Sequence, residues 1–324
     1  MEQQRSGIPS FEARGELSME LVHATEAAAL ACVGFLGKGD PDRVSRSAAE
    51  AMRVAVERSS LTGTIALSPR HQTHLPQGLV IGDGDRKVDL GAYALEGASQ
   101  VARGHINSTT ALVAAEPGGF PRLPAVGHVE KFVAGPAARG AIDLDDSIAD
   151  NLRRIAFANN VRVQDLTVAI LERPRHQELI AEVAATGARI RTLEEGDFAS
   201  AVMAALPGTG IDAAIGVGDL DAALIAACAV RCLGGEFVAR LMPRTDEEKS
   251  LVAEGVPAVY GLVDLAPAGD VDVAVTGVSG GPLLPGVTLG SGFAETSSLL
   301  MSSRHGTVRH LTTRHGATGL AVSR

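Results

Sequence analysis

The chain has 324 residues, 45% of them hydrophobic, which is enough to bury a substantial core around two subdomains. A net charge of −9, with both signs mixed along the chain, and only 3% aromatic residues give neither the positive footprint nor the stacking surface that nucleic-acid binding requires. No run approaches the ~20 apolar residues of a bilayer span, so no membrane partner is expected, and small-molecule or protein partners are.

The first residues, MEQQRSGIPSFEARGE, are polar and lack the apolar stretch of a signal peptide, so residues 1–15 read as a polar arm on a cytoplasmic protein. ELSMELVHATEAAALACVGFLGKGD follows as a long Ala-rich helix that stops at the glycines before Asp40. RVSRSAAEAMRVAVERSS predicts a second helix, and TIAL after Gly63 a short strand. From residue 78 to 135 short β-rich runs, GLVIG, KVDLGAY, TTALVAA and VEKFVAG, alternate with Gly and Pro turns. This predicts a mixed sheet covered by the two helices.

The helix SIADNLRRIAFANN marks a change of rhythm. LTVAIL, a helix from His176, ARIRTL, a helix from Asp197, DAAIGVG and a helix through Ala222 to Cys232 alternate as βαβ units do in a mostly parallel sheet. A buried strand, VDVAVTGV, and a closing segment with GTVRHLTT complete the chain. The expected division is an N-terminal α+β subdomain over residues 16–157 and a C-terminal α/β subdomain over residues 158–324. Cys32, Cys228 and Cys232 are too few for a disulfide framework and point to a reducing compartment. Cys228 and Cys232 share one face of an apolar helix and read as core rather than as metal ligands.

Ten segments, in order and close to full length, resemble the class II fructose-1,6-bisphosphatases. They include MELVHATEAAALACVGFLGKGD, TGT at 62 to 64, VEKFVAGP, IADNLRRIA, TVAILERPRHQELIAEV, ARIRTLEEGDFASAV, AAIGVG, ACAVRCLGGE, VTGVSGGPLLPGV and SSRHGTVRHL. The resemblance implies an α/β/α/β/α layered sandwich of the sugar-phosphatase type. It also implies an ancestor that removed the 1-phosphate of fructose 1,6-bisphosphate with Mg²⁺ or Mn²⁺, and self-association as a homodimer or homotetramer.

Hydrolysing a phosphate monoester in this way needs carboxylates that hold hard divalent ions. Asp40 matches the Asp of the family's GKGD or GRGD turn. Where the family has the glutamates of an IGEGE strand end, this chain has Pro69 and His71. The family's Asp-Pro-(Ile)-(Asp/Glu)-Gly-Thr motif reads Tyr93-Ala94-Leu95-Glu96-Gly97-Ala98, which keeps Glu96 but replaces the first Asp with a poor Mg²⁺ ligand. Ala98 stands in place of the Thr that orients the attacking water, and Ala222 in place of the Glu of a GIGGxxEG loop. Only Asp40 and Glu96 remain as residual metal positions. Asp219, Asp221 and Asp89 are candidate replacements, with capping of the following helix the plainer role for Asp219 or Asp221. His71 and His74 in SPRHQTHL also suit a softer ion such as Zn²⁺.

The sugar-phosphate positions are better kept. ERPRH supplies Arg173, Arg175 and His176 at a strand end entering a helix, a place suited to a phosphate. Asp197 matches a family Asp that holds sugar hydroxyls, Gly216 and Gly218 keep the strand end open, and His128 stands where the family has a Tyr near the substrate. Together with Arg70, the residues His71, His74, Tyr93 and Glu96 form an acid–base set suited to isomerisation, epimerisation or elimination of a phosphorylated sugar without a metal. Two alternatives stay open: a metal-dependent bisphosphatase with a rebuilt site, and a non-catalytic sugar-phosphate sensor or partner subunit.

Overall fold

The computed structural model describes residues 15–252, 256–257 and 259–316. The expected polar arm lies outside the described residues apart from its last position, Gly15. There α1 (Gly15–Val33) begins, and it is followed by α2 (Pro41–Glu57). Three strands and their turns then build toward the site: β1 (Leu61–Leu67), β2 (Val80–Ile81) and β3 (Arg86–Glu96). Gly97, at φ +84, ends β3 and starts α3 (Ala98–Arg103), a six-residue helix that no periodicity announces. Next come β4 (Ser108–Ala115), β5 (His128–Ala134), α4 (Ile148–Ala158), β6 (Thr167–Leu171), α5 (Gln177–Ala185), β7 (Arg189–Leu193) and α6 (Asp197–Ala205). The chain continues through β8 (Ala213–Asp219), α7 (Leu220–Leu233), β9 (Glu236–Leu241), α8 (Asp246–Leu251), β10 (Val259–Gly261) and α9 (Leu262–Leu265). It closes on β11 (Val271–Gly280), β12 (Thr288–Gly290), β13 (Phe293–Ser302) and β14 (Thr307–Gly316).

Two mixed sheets result. The first runs β12-β13-β11-β4-β3-β1-β2, with β14 paired to β13, and so takes strands from both ends of the chain. The second runs β10-β9-β5-β8-β6-β7. The βαβ rhythm produces parallel pairs only at β6–β7 and β6–β8; β5 enters antiparallel between β8 and β9, so the second sheet is mixed rather than mostly parallel. A strand that precedes α4 in the chain is free to fill that slot, because its partners lie far off in sequence.

Three apolar clusters define five layers. Alternation along β3 and β4 sends Leu90, Ala92, Leu112 and Ala114 to one face, against Leu21, Ala28 and Met52 of α1 and α2. The opposite face carries Tyr93, Ala111 and Val113 toward α6 and α7, which also meet Val129 and Val133 of β5. Phe132 and Ala134 of β5, with Val168 and Ile170 of β6, face outward onto α4 and α5. The order is helices, sheet, helices, sheet, helices: the layered α/β/α/β/α sandwich. No helix among the described residues is long and apolar enough to cross a membrane.

Candidate active site

At one end of the middle layer the ends of β3, β5 and β8 meet the N-termini of α6 and α7. Lys131 lies on β5 between Val129 and Val133 and shares their inward face, so its side chain points into the middle layer and is only 2% exposed. A buried ammonium needs a partner. It has one in Asp197, the first residue of α6, whose two carboxylate oxygens accept from Nζ at 2.6 and 2.5 Å. The Asp197 side chain stays 18% exposed, at the edge of the opening. Gly218 of β8 makes the pair possible, since a Cβ there would sit 2.1 Å from Asp197 Oδ2 and 2.8 Å from Lys131 Nζ.

Arg175 stands near Asp197, and further basic groups gather around that guanidinium. Arg175 donates from Nε and Nη2 to the carbonyl of Val217, at 3.2 and 2.8 Å, which lays its guanidinium over the end of β8. Burial, then the neighbouring charges of Arg173 and Arg244, hold its pKa below the usual arginine range. His128 faces Asp219 across the β5–β8 pair, and burial followed by Arg244 and Arg175 pushes its imidazole pKa down. Glu248 of α8 fixes the rim: it accepts from the backbone amides of Gly127 and Arg244, both at 2.7 Å, and stands 3.8 Å from the Arg70 guanidinium. Arg173, half-buried, bonds the adjacent Glu172 carbonyl.

His176 does not face this basin as a free donor. It is 1% exposed; Nδ1 lies 2.8 Å from the Leu171 carbonyl, and Nε2 accepts from the Val217 amide at 2.9 Å. That assigns the neutral tautomer with the proton on Nδ1, and burial lowers its pKa in the same sense. β6 and β8 pair only at Val168–Ala213 and Ala169–Ala214, so the imidazole bridges the two strands where they part. Gly216 leaves room for it, as a Cβ there would sit 3.0 Å from His176 Cε1.

The expected acid–base residues divide. Tyr93 is buried between His71 and Phe198, edge-on to both, with ring centroids 5.7 and 6.2 Å away. Burial, then the carboxylates of Glu96 and Asp197, drive its pKa well above 10. Glu96 turns to the start of α6, where Oε1 accepts from the Phe198 amide at 2.7 Å and Oε2 from Ala199 at 3.0 Å. Burial pushes its carboxyl up to about 8, against those two amides. The loop carrying Arg70, His71 and His74 is pinned onto β3 by buried Gln72, which donates to Leu95 O at 2.7 Å and accepts from the Ala94 amide at 3.0 Å. His71 thus lies over Tyr93, and both His71 and His74 are exposed.

The acids expected to hold metal are occupied elsewhere. Asp40 is exposed and caps α2 through the Arg43 amide at 3.0 Å. Asp219 caps α7 through the Ala222 amide at 3.0 Å, and Asp89 accepts from the Gly118 amide. Asp221 takes a 2.8 Å bond from Gln77, and burial with Asp219 alongside raises its carboxyl to about 6. Nearby Ser68 is 6% exposed, and its hydroxyl has no hydrogen-bond partner among the described residues. Among those residues no three His, Cys, Asp or Glu side chains converge in a group able to hold a metal ion. With Asp40 and Glu96 both engaged by helix N-termini, the donor set as placed does not fit a Mg²⁺ or Mn²⁺ centre.

Among the residues that escaped the sequence reading are Lys131, Arg244, Gln72 and Glu248. Lys131 had a signal, a lone charge alternating with Val129 and Val133 on an apolar face. Arg244 and Gln72 had none.

Five layers, with basic residues gathered at the strand ends of the second sheet, define an α/β protein of the sugar-phosphatase type. The chain belongs to the class II fructose-1,6-bisphosphatase family. The family profile described as "Bacterial fructose-1,6-bisphosphatase, glpX-encoded" matches residues 15–315. The chain is 32% identical to "Fructose-1,6-bisphosphatase 1 class 2" of Escherichia coli strain K12, over 93% of this chain and 96% of that one. The same identity and coverage hold for "Fructose-1,6-bisphosphatase class 2" of E. coli O6:H1 and of Shigella flexneri.

Proposed function

We propose that this chain binds a phosphorylated sugar or polyol beside the Lys131–Asp197 pair, and that the metal-dependent hydrolysis of its relatives is lost or strongly altered. The observation that carries the first part is Arg175 beside the Lys131–Asp197 pair, with Arg173, Arg244 and His128 near that guanidinium. Cationic groups would meet the phosphate, and the Asp197 carboxylate would accept from sugar hydroxyls. The second part is supported by the residues at the family's ligand positions: Pro69, His71, Tyr93 and Ala222 offer no carboxylate, and Glu96 spends both oxygens on α6. Proton transfer on the sugar then falls to His71, which lies edge-on to Tyr93.

One observation favours a second reading, hydrolysis of fructose 1,6-bisphosphate by a rebuilt centre. Asp221, beside Ser68, whose hydroxyl has no partner among the described residues, and two residues from Asp219, sets two carboxylates close together. Phosphate release from fructose 1,6-bisphosphate, with Mn²⁺ or Mg²⁺ and again with EDTA, separates the two. Absence of metal-dependent release from folded protein is the expected result, and robust release would replace the first reading with the second.

A further inference from the structure

We propose that Lys131 is a positioning residue: it aims the Asp197 carboxylate at the ligand's hydroxyls and so sets the preference for a sugar phosphate over a bare phosphate. The inference rests on the reading of the basin as a sugar-phosphate site. A carboxylate at a helix N-terminus ordinarily turns back to cap its own helix. At α6 that place is filled from outside by Glu96, which takes the amides of Phe198 and Ala199. Asp197 is left free to turn to Lys131, and Nζ holds both of its oxygens from below. The ammonium comes from a β-strand flanked by Val129 and Val133, so it cannot follow the carboxylate into solvent. The clearance of Gly218 allows the two groups to meet under the strand end.

The consequence is a fixed acceptor. An unheld Asp197, facing Arg175 across the opening, would swing to that guanidinium and compete with the ligand's phosphate for it. With Lys131 in place the arginines remain available for phosphate and the carboxylate for hydroxyls. Lys131 touches no ligand and acts only through Asp197.

Calorimetric titration in EDTA with two probes, inorganic phosphate and fructose 1,6-bisphosphate, tests this through the ratio of their affinities. Lys131→Met preserves the length of the buried stem and leaves a partly hydrated Asp197. It is expected to lower bisphosphate affinity about tenfold or more while inorganic phosphate stays within about twofold, as for a site that loses a placed hydroxyl acceptor. Gly218→Ala, which leaves both charges in the chain, should reproduce that change of ratio and carries the test if Lys131→Met does not fold. Combined with Asp197→Asn, Lys131→Met should add nothing further. An unchanged ratio in folded Lys131→Met or Gly218→Ala, even with a lowered melting point, assigns Lys131 a merely structural role and overturns the proposal. Wild-type protein that binds neither probe overturns the sugar-phosphate reading itself, and this role with it.

Discussion

At the scale of single residues, the site shows how a polar side chain becomes part of the backbone. His176 replaces ladder hydrogen bonds that β6 and β8 cannot make with each other once they part. Truncating it orphans the Leu171 carbonyl and the Val217 amide and opens a cavity, so His176→Ala should cost about 2–4 kcal/mol in urea denaturation. The pH dependence has a definite sign. A buried neutral imidazole with its pKa below the ordinary 6.5 must gain a proton on unfolding in acid. Its contribution is therefore complete above pH 6.5 and declines as pH falls below that value. His176→Ala should lose part of the acid-side decline that the wild type shows; an unchanged acid limb would mean that the imidazole is not held neutral. Arg173 and Arg175, carried on the loop that His176 anchors, should lose phosphate affinity in the same variant.

At the scale of elements, α6 is the joint between the sheets, because its N-terminal amides are capped by a side chain of β3 rather than by its own flanking residue. Glu96→Ala removes both bonds and should destabilise the protein by about 1–2 kcal/mol. The carboxyl also titrates. Its folded pKa of about 8 lies above its ordinary 4.5, so the unfolded chain releases that proton first and stability drains away as pH rises from 4.5 through about 8. Between pH 6.5 and 8.5, where His176 contributes no slope, wild-type stability should fall, and Glu96→Gln should flatten that fall even though its amide group satisfies one helix amide less well. A wild type of constant stability over that interval would show that the two amides outweigh burial and keep Glu96 ionised. None of this was legible in the sequence. The longer helices and strands were, because apolar spacing repeats locally at 3.6 or 2 residues, whereas short elements such as α3, α8 and α9 left no such pattern. The motif containing Glu96 could be found, but not where its carboxylate turns, since the amides it meets lie 102 and 103 residues further on. Likewise Lys131 and Asp197 are 66 residues apart, and the slot taken by β5 depends on strands that follow it by some eighty residues or more. Asp219 was readable as a cap because its partner, Ala222, is three residues away. Local partners leave a pattern in the sequence; distant partners leave only a residue type.

At the scale of the whole molecule, the five layers share one interior rather than two. The central cluster takes Tyr93, Val113, Val273 and Leu299 from the first sheet and Val129, Val133, Phe237 and Leu241 from the second. Both sets close on α6 and α7, and α7 is buried on every side from Ala222 to Val230. A helix apolar all round has no stable exposed state, so neither sheet can separate from it without exposing the other's inner face. The strand order reinforces this: the first sheet is complete only when β11, β13 and β14 return from the far end of the chain, after the second sheet has been laid down. The two sheets should therefore unfold in one transition, despite a length at which separate steps are common. The two tyrosines make this testable, since Tyr93 lies in the first sheet and Tyr260 in the second, and the chain has no tryptophan. Tyrosine fluorescence of Tyr260→Phe then follows the first sheet and that of Tyr93→Phe the second. Coincident urea midpoints, matching far-ultraviolet circular dichroism of each variant, are the expected result. A fluorescence transition displaced from the dichroism curve in either variant would show that one sheet stands without the other, and that the shared layer does not bind them into a single folding unit.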